Sequence, residues 1–390
     1  MVNRIVIFTG SKRDFDLYLE NDIGDTESVT RFMEVIQNYN FRLRPSNTAL
    51  GDNEPDLGNY IENCIVRTED YGSVMEHVIS NFITIVTLNH DIGTLYVQNP
   101  PKRIIQALKA EFGNIIEYEG TIYSRFDIDK LRNAYAYLKK HIIGQQDAKK
   151  QVIANLYKDI SKISEKPTVI LLYGVSGVGK TETAKCISKA LGGKLLRIQF
   201  SMMQTTEAYN YIFGSEHSKN SFARDLQSRE TNIILIDEFD KVNTSFYNAF
   251  YELFDEGLYV DTNYEVDLRN SVFICTSNFM SEEEIKHVLG PAMFSRIGCC
   301  IKYDELSCSE KEIIIKKWYS ECVDKLQVNE KDIIEKSDIL DWFIKNNDRY
   351  DNIRLLHTKM ENAIYQLLSE EYIFSYVDQI NSSEIEKEIP

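Results

Sequence analysis

The sequence predicts an α/β chain: a parallel sheet flanked by helices, followed by a helical C-terminal subdomain and preceded by a small α/β or α+β N-terminal unit. Three observations carry this expectation. Short apolar or β-rich runs alternate with helical stretches between residues 168 and 276, the pattern of a parallel sheet covered on both faces. After Tyr303 apolar residues recur at helical spacing only. The 390 residues also exceed what one hydrophobic core usually supports, roughly 250–300 residues.

Taken in order, residues 1–125 open with a strand-like run at residues 4–8 and include a turn-rich stretch at residues 44–55. They close with a strand at 94–97, a helix Lys102–Phe112 started by Pro100-Pro101 and stopped by Gly113, and a strand at 114–118. In residues 127–140, Ile128, Leu131, Ala134, Tyr135 and Leu138 are spaced as on one helix face, linking the front unit to the next. Strands follow at Thr168–Tyr173, 194–200, 232–236 and 271–276, with helices at Lys180–Leu191 and 244–254 between them. The domain boundaries expected are 1–125, 126–302 and 303–390, the last a helical lid with an acidic tail.

Lys and Arg total 44 against 60 Asp and Glu, a net charge of −16, which excludes a protein that holds nucleic acid or an anionic membrane by bulk charge. The excess is uneven: residues 1–140 carry 15 basic and 20 acidic side chains, and residues 304–390 carry 11 and 20. The longest apolar stretches fall short of the roughly 20 residues a membrane-spanning helix needs, and no secretory signal opens the chain, so a soluble cytoplasmic protein is expected. Seven scattered cysteines form no disulfide framework and fit a reducing compartment. The vicinal Cys299-Cys300 reads as small buried side chains at a strand entrance rather than a metal site.

Two motifs carry chemistry. Gly174-Val175-Ser176-Gly177-Val178-Gly179-Lys180-Thr181 directly follows a strand and opens a helix, which sets it apart from a glycine-rich turn that binds nothing. Glycines let backbone N–H groups converge on phosphate oxygens at the positive end of the helix. Lys180 would then contact the β- and γ-phosphates, and Thr181 would ligate Mg2+. The second motif, Ile233-Ile-Leu-Ile-Asp237-Glu238, ends an apolar strand in two carboxylates, with Asp237 57 positions beyond Lys180. Asp237 is the candidate metal ligand, through water, and Glu238 the candidate base or water-positioning group.

Over residues 130–370 these motifs and their order resemble the AAA+ ATPases, specifically the second ATPase ring of the Clp unfoldases and disaggregases. The resemblance implies an AAA+ P-loop module with a helical lid, binding ATP and Mg2+. Within His141-Ile142-Ile143-Gly144, Ile142 and Ile143 would pack on adenine; Asn278 would be the first sensor, and Arg354 the second, on the lid. Arg296, in Phe294-Ser-Arg-Ile297, matches the arginine finger that reaches a neighbouring subunit, which implies a ring, expected as a homo-hexamer; a surface ion pair is the other reading of either arginine. Tyr211, Ile212 and Phe213, followed by Gly214, resemble a pore loop that grips a protein client, although Ala208, Tyr211 and Ile212 also stand at helical spacing as core residues of a short helix. The leading glycine of the family's pore loop is missing here, and Val175 replaces its usual proline. A single module is present, and no insertion for docking a peptidase lies between Asn278 and Arg296.

The expected function is an ATP-hydrolysing ring that remodels or unfolds a protein partner by threading, selected by residues 1–125. The alternative is a nucleotide-dependent switch or assembly platform acting on an effector, for example in a defence system. A nucleic-acid motor or loader is weaker, given the −16 charge.

Overall fold

The computed structural model describes residues 1–24, 28–42, 60–88, 90–161, 165–199, 206–216 and 219–375. The turn-rich stretch 44–55 and the acidic tail lie outside the described residues. Two parallel five-stranded sheets organise the chain.

The front unit is α/β. Its strands β1 (Val2–Thr9), β2 (Val29–Arg31), β3 (Tyr60–Val66), β4 (Asp91–Gln98) and β5 (Ile116–Gly120) are ordered β2-β3-β4-β1-β5, all parallel. Alternation sends Ile5 and Ile7 to one face with Leu95 and Val97, while Val6 and Phe8 meet Tyr96, Phe15 and Leu19 on the other. Helix Lys12–Asp22 covers that second face and is capped by Ser11, whose hydroxyl accepts from the Asp14 N–H.

The second unit contains β6 (Thr168–Tyr173), β7 (Leu196–Gln199), β8 (Ile233–Asp237), β11 (Val272–Thr276) and β12 (Cys299–Lys302), ordered β12-β6-β11-β8-β7. Between β8 and β11 runs the antiparallel hairpin β9 (Leu258–Val260) and β10 (Glu265–Asp267). β8 and β11 are buried throughout, as apolar runs in a doubly covered parallel sheet should be. One face, with Ile170, Leu172, Leu235 and Ile274, continues without a break into the lid through Ile315, Leu356 and Met360. The other face, with Leu171, Ile234, Ile236 and Phe273, packs on an aromatic cluster around Phe222, Phe239 and Phe250. The lid comprises helices Cys308–Val323, Val328–Glu335, Ile339–Lys345 and Ile353–Ser369. Cys299 and Cys300 do open a strand, but both are half-buried, since β12 is an edge strand. The helix expected at 244–254 starts as a 3-10 turn, Thr244–Phe246, and continues as Tyr247–Glu256.

The carboxyl ends of the front strands meet the second unit. Buried Asn99 ties three of those ends together: it accepts from the Gly10 N–H at 2.8 Å and donates to the Gly10 carbonyl at 2.8 Å and to Thr68 Oγ1 at 3.1 Å. Across the junction Lys102 donates through its backbone N–H to the Asn263 carbonyl (2.8 Å) and through Nζ to that of Asp261 (2.6 Å). Arg224 donates to the Thr68 carbonyl at 2.7 Å. Arg229, buried, lies 4.1 Å over the Tyr123 ring while donating to Asn232 Oδ1 and to the carbonyls of Leu226 and Asp267.

Removing such a guanidinium leaves buried acceptors unpaired, so Arg229→Ala should destabilise the chain by about 2–4 kcal/mol in urea denaturation. Substitution of exposed Arg132, paired only with Asp129, should change stability by less than about 0.5 kcal/mol in the same assay.

Candidate functional site

The glycine-rich loop leaves the carboxyl end of β6 and turns into helix Lys180–Leu191. Gly174 has φ +128°, and a Cβ there would lie 2.2 Å from the Tyr303 carbonyl oxygen, so only glycine lets the loop pass β12's exit. Gly179 has φ +104° and rests on Ile142, whose Cγ2 would be 3.2 Å from an added Cβ. Lys180 Nζ curls back to the carbonyls of Gly174 and Val175, each at 2.6 Å, and approaches Asn278 Oδ1 at 3.4 Å. Burial pushes its ammonium down to about 8, against the pull of Asp240 and Asp237; Arg354 adds to the depression. A phosphate chain would raise it again.

Strand order sets the rest. β11 lies between β6 and β8, so Thr276, paired with Leu172, stands between the loop and Asp237. Its hydroxyl donates to Asp237 Oδ1 and accepts from the Glu238 N–H at 3.1 Å. Thr181 Oγ1 donates to Asp237 Oδ1 at 3.2 Å. Glu238 has φ +57°, uncommon for a non-glycine residue and a recurrent feature of functional positions. The hydroxyl and carboxylate oxygens of Thr181 and Asp237, without sulfur or imidazole, suit a hard divalent cation.

A cavity of about 510 Å³ brings together Ser176, Gly177, Gly179, Lys180, Thr181, Asp237, Glu238, Asn278 and Arg354. Arg354 sits in the first turn of helix Ile353–Ser369, where Asn352 caps its backbone N–H at 2.9 Å. Of the remaining candidates, Val178 is buried beneath the loop and Val175 packs against the sheet-and-lid core. Ile142 is buried and Ile143 half-buried in that same core, and neither lines the cavity.

Two candidates lie elsewhere. Arg296 is outside its own chain's cavity: Nε and Nη2 reach Asp255 Oδ2, each at 2.8 Å, and the guanidinium lies 4.4 Å over the Tyr251 ring. Tyr211, Ile212 and Phe213, the residues expected to face a pore, stand in the last turn of helix Thr206–Phe213, in line with their helical spacing. Ile212 is fully buried, and its carbonyl accepts from the Tyr259 hydroxyl. Tyr211 donates to Asp225 Oδ2 at 2.5 Å, and burial, then the Asp225 carboxylate, push its phenol far above the usual value. Phe213 packs on Tyr209 and Phe246. In this chain their apolar faces complete the aromatic cluster. The connection that follows, residues 214–221, contains no aromatic residue.

Sequence reasoning missed Thr276 and Arg197. Arg197, on β7, donates to Asp237 Oδ2 through Nε (3.0 Å) and Nη2 (2.5 Å). The available signal was a cation inside a short strand expected beside the acidic-pair strand. The lid adds Trp318 and His357, 4.5 Å apart and edge-to-face, to the cavity wall.

Comparison with known proteins agrees with this geometry. Residues 165–325 match the AAA domain (Cdc48 subfamily). The chain is 25% identical over 242 residues to Chaperone protein ClpB of Malacoplasma penetrans, covering 56% of this chain and 34% of that protein. It is 30% identical over 185 residues to the ClpA homolog protein of Fuscovulum blasticum, 45% of this chain and 23% of that one. It is 32% identical over 165 residues to the Mitochondrial disaggregase of Bos taurus, 39% of this chain and 24% of that one. The chain thus spans about a third or less of the length of these relatives. Among the described residues no helix is long and apolar enough to cross a membrane.

Charge-assisted contacts to phosphate are the strong ones, so Lys180→Met should weaken binding of a fluorescent ATP analogue by about 100-fold, read by anisotropy, with the far-UV circular dichroism spectrum unchanged.

Proposed function

We propose, from the match of residues 165–325 to the AAA domain and the similarity to Clp chaperones, that this chain hydrolyses ATP in a homo-oligomeric ring, a hexamer, and uses the cycle to remodel a protein partner. The observation that carries the reading is the convergence of Lys180, Thr181, Asp237, Glu238, Asn278 and Arg354 on one cavity at the seam between sheet and lid.

In this reading the loop N–H groups and Lys180 hold the β- and γ-phosphates. Thr181 and Asp237 would hold Mg2+, whose charge would offset the negative charge of the phosphates. Glu238 positions the attacking water, and Asn278 fixes it against the γ-phosphate. Ile142, beneath Gly179, and Ile143 would bound the adenine side only from behind the loop, since neither lines the cavity. Arg296 leaves Asp255 to reach the neighbouring subunit's nucleotide, consistent with its position outside its own cavity. Arg354 senses the γ-phosphate, and because the next residues of its helix, Leu356 and Met360, belong to the sheet-and-lid core, lid and phosphate move together. Residues 1–125 choose the partner, 126–302 form the large ATPase subdomain and 303–390 the lid; the compartment is the cytoplasm.

A second reading, a nucleotide-dependent switch or assembly platform that regulates an effector without unfolding it, draws support from the burial of Ile212 and the Tyr211–Asp225 hydrogen bond, which hold the expected gripping residues in the core. Affinity capture with Glu238→Gln in ATP separates the two. Remodelling requires a client that emerges protease-sensitive, whereas a switch requires an effector that stays folded; recovery of self-associated subunits alone sinks the remodelling reading.

Glu238→Gln should lower steady-state hydrolysis by about 100-fold or more while nucleotide binding persists. Arg296→Ala should lower it by about 10³-fold with binding intact, measured at protein concentrations where sedimentation shows the assembled ring.

A further inference from the structure

Asp237 is almost wholly buried, yet an arginine as well as two hydroxyls is spent on it. In the parallel pairing of β7 and β8, Gln199 stands opposite Asp237 and Arg197 opposite Leu235, so Arg197 and Asp237 lie on the same sheet face two residues apart. The guanidinium reaches along that face and delivers two N–H groups to Oδ2. The other oxygen, Oδ1, takes the hydroxyls of Thr276 and Thr181. Both oxygens are therefore engaged, and Asp237 and Arg197 both line the cavity.

The two partners differ in freedom. The Asp237 side chain is 6% exposed and fixed at a strand end, whereas the Arg197 side chain is 46% exposed. A half-exposed guanidinium regains water when it leaves, but the buried carboxylate cannot follow. We infer that Arg197 is a positioning residue that occupies the Asp237 carboxylate in place of the divalent cation, so that loading of metal with nucleotide is an exchange in which the guanidinium gives way. The inference rests on the nucleotide reading of the same cavity and adds a control over when the site is charged. Before loading, Arg197 keeps a buried carboxylate paired and correctly aimed; on loading, a mobile cation is released at the cavity rim beside Gln199 and Glu238.

The test is a Mg2+ titration of fluorescent ATP-analogue binding to the full chain and to Arg197→Met, which keeps the stem but removes the fork. Competition by a partly exposed ion pair predicts a Mg2+ midpoint roughly three- to tenfold lower in Arg197→Met. Arg197→Lys, a point charge without the fork, should fall between the two and guards against a folding defect in the first variant. An unchanged or higher midpoint in either variant, with wild-type circular dichroism and melting temperature, overturns the inference and leaves the nucleotide reading standing. Failure of the unsubstituted chain to bind the analogue at any Mg2+ concentration overturns both.

Discussion

The structure depends most on how one buried carboxylate is kept paired. Asp237 ends the apolar run of β8, and the burial of that run drags the charge out of water. Its partners come from three further elements: Thr276 from β11, Thr181 from the helix after the glycine-rich loop, and Arg197 from β7. Only the order β6-β11-β8-β7 brings these ends together. A sheet with β11 and β8 exchanged would leave the carboxylate without its threonine and the loop beside a different strand. The requirement to satisfy one charge therefore constrains strand order, loop position and the site's chemistry together.

The same constraint explains why the lid is part of the core. One face of the sheet continues through Ile353, Leu356 and Met360 into the lid helices. Ile353 is buried while its neighbour Arg354 lines the cavity, so adjacent residues of one helix turn serve packing and charge separately. Close-packed interiors pass displacement on rather than absorb it.

Much of this was legible locally. The phosphate loop needs glycines at strained backbone angles, a strand before and a helix after, all within 24 residues of contiguous sequence, and the acidic pair announces itself by the apolar run in front of it. Lid helices showed in their spacing, and Ser307 with Glu310 forms the capping box that starts the first of them. The surroundings of Tyr211, Ile212 and Phe213 were not legible, because an aromatic–aliphatic run suits both a gripping loop and a core helix, and their contacts come from the distant Phe222, Phe246 and Asp225. Arg197 escaped for a similar reason: its meaning comes from register with a strand 40 residues away. In the front unit, β2 is three residues long, too short for any periodicity, and the insertion of β1 between β4 and β5 is written in no local pattern.

The junction between the two sheets has a thermodynamic consequence. In open α/β sheets the crevice beyond the carboxyl ends of the strands, where strand order reverses, is the ordinary seat for a ligand. Here β1 and β4 meet at that reversal, and the second unit closes on the strand ends around it, with Asn263 on Lys102 after β4, Arg224 on Thr68 after β3 and Arg229 on Tyr123 after β5. A molecule that needed those contacts broken would compete with the protein's own second half, and its apparent affinity would fall accordingly. By linkage, whatever succeeds there weakens the grip on the hairpin β9–β10 by the same factor. The front unit is thus joined to the second unit at the edge where a ligand of an open sheet would ordinarily sit.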